Sequence, residues 1–107
     1  MDAVTVVVPT RNRLELLRLT LTSILRQHDV DLHVHVVDDA STEDTAGVVA
    51  SFADHRLRVV RQPVVSGVSN ARNAGWSGAT TRWVAFCDDD DLWSPAKLAE
   101  QLAAVGG

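Results

Sequence analysis

Short β-branched runs alternate along the chain with longer segments in which apolar residues recur every three or four positions. The run from Val4 to Val8 is typical of a buried strand, and similar runs predict strands at residues 32–38, 57–62 and 82–87. The first of the longer segments instead places a set of apolar side chains on one helical face, namely Leu14, Leu17, Leu21, Ile24 and Leu25. The pattern therefore predicts a strand–helix alternation.

Polar residues mark where the predicted helices begin. Asn12 followed by Glu15 resembles a capping box for the first helix, and Ser41 is the expected N-cap of the second. Ser94, with Pro95 at the first helical position, predicts the start of the fourth helix. The predicted helices cover residues 14–28, 41–53, 69–79 and 94–105.

An alternation of this kind implies right-handed crossovers and a parallel sheet covered by helices on both faces. We therefore predict one α/β domain over residues 1–107, a Rossmann-like three-layer sandwich with a four-stranded, mainly parallel sheet. The expected strand order is 3-2-1-4. In such sheets ligands bind beyond the carboxyl ends of the strands, so the chemistry should be sought there.

The end of the fourth predicted strand carries four consecutive aspartates, Asp88 to Asp91. Two carboxylates about 6 Å apart repel by roughly 3 kcal/mol at an effective dielectric of ~20. A divalent cation neutralises such a cluster, and Mg²⁺ and Mn²⁺ prefer carboxylate, water and phosphate oxygens. The alternative is that the acids only face the N-terminus of the next helix, but four in a row exceed what that role needs.

Other strand-end residues leave two interpretations open. Asp38 and Asp39 serve either as a turn and cap before the second helix, or as carboxylates that recognise ribose hydroxyls or a base edge. Arg72 and Asn73 either reach phosphate or base, or are solvated helix residues. The first loop lacks the G-x-G-x-x-G pattern, which argues against a dinucleotide oxidoreductase, and it also lacks the glycines and lysine of a P-loop.

Composition narrows the function classes. A net charge of −4 argues against a nucleic-acid partner. The single Cys87 excludes an internal disulfide and fits a reducing compartment, and no segment suits a signal peptide or a membrane span. We therefore expect a cytoplasmic protein, free or peripheral to a membrane. Cys87 is expected in the core, and Trp76, Trp83 and Trp93 in the core or the walls of a cleft.

Four motifs, taken together, resemble one family. They read VTVVVPTRNR, VHVVDDASTEDT, GVSNARNAG and WVAFCDDDDLWSPAKL, and they are similar in order and spacing to the N-terminal half of family 2 glycosyltransferases. The resemblance spans nearly the whole chain. It implies a partial GT-A fold, a nucleoside-diphosphate sugar as donor (a UDP-sugar in the usual case), Mn²⁺ or Mg²⁺, and inversion at the anomeric carbon of the sugar.

The resemblance also implies roles for individual residues at the nucleotide. Pro9, Thr10 and Arg11 match the loop after the first strand, which lines the nucleotide site. Asp39 matches the carboxylate that contacts the base, usually uracil. Arg72 falls in the segment that helps to hold the nucleotide.

For the metal, the resemblance implies roles within the aspartate run. Asp88, Asp89 and Asp90 match the D-x-D motif. Asp90 would lie nearest the metal, and Asp88 or Asp89 would reach the ribose or the metal's water. Asp91 would support them.

The chain departs from the family pattern after that motif. The general base and the acceptor-binding half of the family follow it, whereas this chain ends 16 residues after Asp91. We therefore expect a truncated, donor-binding half without its catalytic base, with an unknown sugar or glycan acceptor. Its sheet would have an uncovered edge, open to self-association into a homo-oligomer.

Two further function classes are alternatives to an enzyme module. One is a non-catalytic nucleotide-sugar-binding or assembly module that lacks the acceptor half. The other is a phosphoacceptor signalling domain, which is also doubly wound. It fits poorly, because the third strand ends in Gln62 where an aspartate would be needed, and the acid pair follows the second strand instead of the first.

Overall fold

A computed structural model of the chain describes residues 2–106. Strands and helices alternate throughout this range. The strands are β1 (Ala3–Thr10), β2 (Asp31–Asp39), β3 (Leu57–Gln62) and β4 (Trp83–Phe86). The helices are α1 (Leu14–Leu25), α2 (Thr45–Ser51), α3 (Val68–Ser77) and α4 (Lys97–Gly106).

The four strands form one parallel sheet in the order β3-β2-β1-β4, which confirms the predicted order. Thr10 lies opposite Asp38 in the β1–β2 register, and Val7 lies opposite Phe86 in the β1–β4 register. The carboxyl ends of β1, β2 and β4 therefore meet at one edge. The outer side of β4 has no strand beside it within residues 2–106, and self-association there stays a prediction.

Side chains of β1 and β2 alternate between two apolar layers, as the pleat requires. The larger layer packs the sheet against α1, α2 and α4, and its buried members include Val6, Val34, Leu21, Val49 and Leu98. The smaller layer joins Val7 and Val37 to Ala71 of α3. The predicted three-layer sandwich is therefore confirmed.

Helix α3 lies unusually close to the sheet at Gly75. A Cβ atom at this position would lie 2.4 Å from Cγ1 of Val7 and 2.8 Å from Cγ2 of Val37. Both valines are fully buried in the sheet. The missing side chain of Gly75 therefore sets the distance between α3 and the sheet.

The predicted caps of the first two helices are wrong. Arg13, not Asn12, precedes α1, and no side chain caps that helix. Asn12 has a φ of 55°, and its Oδ1 accepts from the main-chain nitrogens of Thr42 (2.9 Å) and Glu43 (3.3 Å). Helix α2 begins at Thr45, and the side chain of Asp44 caps it. The Asn12 side chain thus serves the loop after β2 instead of its own helix.

Ser41 and Ser94 also differ from their expected capping roles. The Ser41 hydroxyl accepts from the main-chain nitrogen of Asn12 at 3.0 Å, so it joins two loops instead of starting a helix. Helix α4 begins at Lys97, three residues after Ser94, and the carbonyl of Ser94 accepts from the side chain of Gln27 and from the nitrogen of Lys97.

The tryptophans are divided between core and surface. Trp83 and Trp93 pack against the larger apolar layer, as expected. Trp76 is 57% exposed on α3, so its predicted core or cleft position is wrong. Across residues 2–106, the helices fall short of the length and apolar character needed to cross a bilayer. The cytoplasmic location stays a prediction.

Candidate active site

A cleft of about 460 Å³ opens at the carboxyl edge of the sheet, between the ends of β1 and β4 and the first turns of α3. Every residue that the sequence assigned to a donor or metal site lines it, namely Pro9, Thr10, Arg11, Asp39, Arg72, Asp88, Asp89 and Asp90. Three lining residues were not anticipated, namely Arg13, Val68 and Ala71. The roles of the individual residues stay predictions, but their proximity is a property of the fold.

The two aspartates that end β2 point to opposite faces of the sheet, because successive side chains of a strand alternate. Asp38 is buried, accepts from the main-chain nitrogen of Ser41 (3.0 Å), and pairs with Arg61 at 2.6 Å. This is the turn role that the sequence left open. Asp39 lies on the side of the cleft.

Asp39 organises the loop that leads into α3. Its Oδ1 accepts from the main-chain nitrogen and the hydroxyl of Ser66, each at 2.9 Å, and its Oδ2 accepts from the nitrogen of Gly67 at 3.0 Å. Burial raises the pKa of Asp39, but these hydrogen bonds and the charge of Arg11 outweigh it, so the pKa lies below its usual value. The carboxylate is therefore an anion at neutral pH.

Gly67 adopts a φ of 87°, in the left-handed region that favours glycine. This backbone conformation turns its nitrogen toward Asp39 and lets the chain enter α3 directly. Val68 and Ala71 then lie in the cleft wall, and Arg72 lies at the rim. The glycine, one residue before α3, thus helps to place all three cleft residues of that helix.

Asp88 and Asp90 project from the turn after β4 and are each about half exposed (57% and 50%). Nη2 of Arg72 lies 3.1 Å from Oδ1 of Asp88, and Nη1 of Arg13 lies 3.5 Å from Oδ2 of Asp90. The two arginines therefore offset part of the repulsion within this turn of four aspartates, Asp88 to Asp91, which we refer to as the acidic turn. A positive charge close to four carboxylates is electrostatically expected. The position of Arg13 in the sequence, at the start of α1, gave no sign that this residue would supply it.

Asp89 differs from its neighbours because it is buried. Its Oδ2 accepts from the hydroxyl of Thr10 at 2.9 Å, and Nη1 of Arg13 lies 3.5 Å from its Oδ1. Burial raises the pKa of Asp89, and the carboxylates of Asp90 and Asp88 raise it further. The contacts with Thr10 and Arg13 lower it, but the net pKa lies above the usual value. Its predicted contact with ribose or a metal's water stays a prediction, but its side chain is already engaged within the protein.

Cys87, just before the acidic turn, is the core residue that the sequence predicted. It is 2% exposed. Burial, followed by the nearby carboxylates of Asp91 and Asp88, raises the pKa of its thiol to about 12. The thiol is therefore protonated at neutral pH, and it is unsuited to act as a nucleophile.

Within residues 2–106 no three His, Cys, Asp or Glu side chains lie close enough together to hold a metal ion by themselves. The donor set of the cleft is instead two partly exposed carboxylates, those of Asp88 and Asp90. Mg²⁺ is commonly held by one or two carboxylates together with waters and substrate phosphates. This donor set fits a metal that is shared with a phosphorylated ligand, and not a closed protein site.

Comparison with known proteins identifies relatives along nearly the whole chain. Residues 5–106 match the profile described as glycosyl transferase family 2. The UDP-Glc:alpha-D-GlcNAc-diphosphoundecaprenol beta-1,3-glucosyltransferase WfgD of Escherichia coli is 30% identical over 102 residues, which are 95% of this chain and 40% of WfgD. Validoxylamine A glucosyltransferase of Streptomyces hygroscopicus subsp. jinggangensis is 40% identical over an alignment that covers 95% of this chain and 25% of that enzyme.

Solved structures with the same fold also carry glycosyltransferase names. The mannosyltransferase PcManGT from Pyrobaculum calidifontis, in complex with GDP-Man and Mn²⁺, superposes with a TM-score of 0.89 at 33% identity over 97% of this chain and 32% of its own. S. aureus TarS, in complex with UDP-GlcNAc, gives 0.87 at 30% identity over 96% of this chain and 30% of its own. This chain thus spans less than half the length of each of these relatives. The match over residues 5–106 and these neighbours show that the chain belongs to glycosyl transferase family 2 and has the GT-A type of fold.

Proposed function

We propose that this chain is the donor-binding part of an inverting glycosyltransferase, and that its cleft binds a nucleoside-diphosphate sugar together with Mn²⁺ or Mg²⁺. One observation carries the proposal. The eight positions that four separate motifs assign to donor or metal line a single cleft of about 460 Å³. That volume lies within the roughly 300–1,000 Å³ of small-molecule sites.

Asp39 is suited to receive the base. A carboxylate offers about four acceptor positions, two on each oxygen. Two on Oδ1 are used by Ser66 and one on Oδ2 by Gly67, so Oδ2 keeps one for an incoming N–H group. The lowered pKa of Asp39 keeps this acceptor ionised. A uracil base offers one such N–H donor on its hydrogen-bonding edge, which supports a uridine nucleotide.

Arg11 and Arg72 are suited to receive the diphosphate. Both side chains line the cleft at the carboxyl edge of the sheet. Arg72 uses one amino group for Asp88, and its guanidinium group still has donors for phosphate oxygens. Their positive charge would stabilise the leaving diphosphate when the bond to the sugar breaks.

Asp88 and Asp90 are suited to hold the metal. They face the cleft with half-exposed carboxylates, while the carboxylate between them is turned into the protein. A divalent cation bound there would neutralise the diphosphate leaving group. The neighbouring mannosyltransferase structure holds GDP-Man and Mn²⁺, and TarS holds UDP-GlcNAc, which supports a nucleotide sugar and a divalent metal as the ligand class.

A non-catalytic nucleotide-sugar-binding module is the second candidate. It is favoured by the scarcity of acidic residues after the acidic turn. The only one is Glu100, which is exposed on α4 and does not line the cleft. A general base must lie within about 2.6–3.2 Å of the proton that it removes, or one water away. The position of Glu100 thus supports binding of a donor without a general base for the acceptor among these residues.

Calorimetry with uridine diphosphate tests the proposal, with Mn²⁺ or Mg²⁺ in one series and a chelator in the other. Binding is expected only with metal. Asp90→Asn should lose the metal-dependent binding and keep the fold, whereas the control Glu100→Gln should bind like wild type, because Glu100 is exposed and does not line the cleft. Equal affinity with metal and with chelator would refute the metal role, and no binding in either series would refute the donor site.

A further inference from the structure

A row of polar side chains runs along one side of α1 and continues just past its C-terminal end. Thr20, Ser23 and Gln27 have the spacing i, i+3 and i+7, which places them on one helical face. Thr20 is fully buried and Gln27 is 6% exposed. Polar groups at such depth need hydrogen-bond partners. We refer to these three residues as the polar ridge.

The first two members of the polar ridge bind main-chain groups of the acidic turn and the segment that follows it. The Thr20 hydroxyl donates to the carbonyl oxygen of Asp89 at 2.8 Å. The Ser23 hydroxyl accepts from the nitrogen of Trp93 at 3.1 Å, and it donates to the carbonyl of Thr20 at 2.8 Å. The two hydroxyls therefore tie the main chain of residues 89–93 to α1 at two points.

Gln27 binds the same segment further along. Its amide nitrogen donates to the carbonyl of Ser94 at 2.5 Å, and its amide oxygen accepts from the nitrogen of Leu98 at 3.0 Å. Residues 87–94 contain no helix or strand, so their main chain has no regular hydrogen-bonding pattern of its own. The side chains of the polar ridge instead supply hydrogen-bond partners to this segment.

Asp89 is held from two sides. Thr20 binds its carbonyl oxygen, and Thr10 at the end of β1 binds its side chain. Its neighbours Asp88 and Asp90 project into the cleft. The middle residue of the turn is thus an anchor, and the residues on either side present their carboxylates to the ligand.

We propose that the polar ridge and Asp89 act together as a positioning device for the two carboxylates of the acidic turn. This rests on the proposed function, because those carboxylates are the proposed metal ligands. A metal site needs its ligands held by the surrounding hydrogen bonds, and loss of such a supporting residue typically costs about 10–100-fold in metal affinity. Thr20, Ser23 and Gln27 do not line the cleft, so they act on the metal site only through the turn that they hold.

The test uses Thr20→Val, which keeps the shape of the side chain and removes its hydroxyl. The matched control is Thr22→Val on the same helix, because the Thr22 hydroxyl is exposed and binds only the carbonyl of Arg18 within α1. Thr20→Ser should restore the hydroxyl and rescue the effect. Mn²⁺ is titrated into each variant at saturating uridine diphosphate and followed by electron paramagnetic resonance. Hydrogen exchange at the Asp91 and Trp93 amides is measured without metal or nucleotide.

Thr20→Val is expected to weaken Mn²⁺ binding about tenfold or more and to speed exchange at both amides, with Thr22→Val and Thr20→Ser close to wild type. If Thr20→Val does not fold, Ser23→Ala takes its place, with the same expectation for Trp93. Wild-type exchange rates in the variant, or faster exchange with unchanged Mn²⁺ affinity, would overturn the positioning role while leaving the proposed function intact. A wild-type chain that binds neither Mn²⁺ nor uridine diphosphate would overturn the proposed function, and this role with it.

Discussion

Replacing Gly75 by alanine should push α3 away from the sheet. The new Cβ would lie 2.4 Å from Val7 and 2.8 Å from Val37, distances at which atoms must move. Both valines are fully buried in strands of the sheet and cannot rotate away freely. Because α3 carries Val68, Ala71 and Arg72 at the cleft, the movement should also reach the proposed nucleotide site.

The size of the effect follows from two opposing contributions. Overpacking a core costs about 1–3 kcal/mol, and a clash with two rigid strands belongs near the upper end. Replacing glycine by alanine inside a helix offsets this by about 1 kcal/mol. The net loss is therefore about 2 kcal/mol in the free energy of unfolding. With an unfolding entropy of about 2.1 cal/mol/K per residue, this loss of stability should lower the Tm by roughly 9 °C.

Thermal unfolding followed by circular dichroism measures this loss, and Gly78→Ala is the matched control. A Cβ at Gly78 would meet its nearest atom at 3.8 Å, and the residue has a φ of −86°, so alanine fits there without strain. Gly78→Ala should match or exceed the wild-type Tm. Adding Val37→Ala to Gly75→Ala should recover part of the loss, because it removes one of the clashing methyl groups. Equal Tm values for Gly75→Ala and Gly78→Ala would show that the close approach of α3 is not real.

Three further predictions follow from the site and the chain. Asp39→Ala should weaken binding of uridine diphosphate by about 1.5–3 kcal/mol, measured by calorimetry. It should also lower the free energy of unfolding by about 2 kcal/mol, because Ser66 and Gly67 lose their acceptor, and unchanged stability would contradict this structural role of Asp39. The hydrogen bond from Arg56 lowers the pKa of Asp54 from 3.8 to about 2, so the pair should add about 1 kcal/mol of stability after solvent screening, fully present above pH 3.8 and lost as the pH falls through about 2. Urea unfolding of wild type and Asp54→Asn across that range checks this, and a constant difference down to the lowest pH would speak against it. The chain alone should transfer sugar to none of a panel of acceptors above a no-acceptor control, because the carboxylates of its cleft are assigned to the donor and the metal, and Glu100, the one acid after the acidic turn, does not line the cleft; product analysis that finds acceptor-dependent transfer would show otherwise.

The position of the cleft was predictable from sequence because it follows from local patterns and one topological rule. Apolar periodicity identified the four strands, and parallel strands bring their carboxyl ends to one edge. Thr10, Asp39 and Asp88 therefore had to meet once the strand order was right. The aspartate run was a signal in itself, because repelling charges need a counter-charge.

The two layers and their helices were predictable for the same reason, but the helix starts were not. Asn12 carries a residue pattern typical of a cap, yet its side chain binds Thr42, thirty residues away. A local sequence pattern indicates which hydrogen bonds a side chain is able to make. Competition from a distant loop, which depends on the assembled sheet, decides which of them it does make.

The sequence by itself determined the order of the elements, the edge at which ligands bind and the family of the chain. The tertiary structure alone decided how the acidic turn is built. Nothing local distinguishes Asp89 from Asp88 and Asp90, and only the contacts of Thr10 and Thr20 make it the buried anchor. Arg13 and Gly75 matter for the same reason: their partners lie on other elements, and burial and charge pairing are properties of the packed chain, not of any one segment.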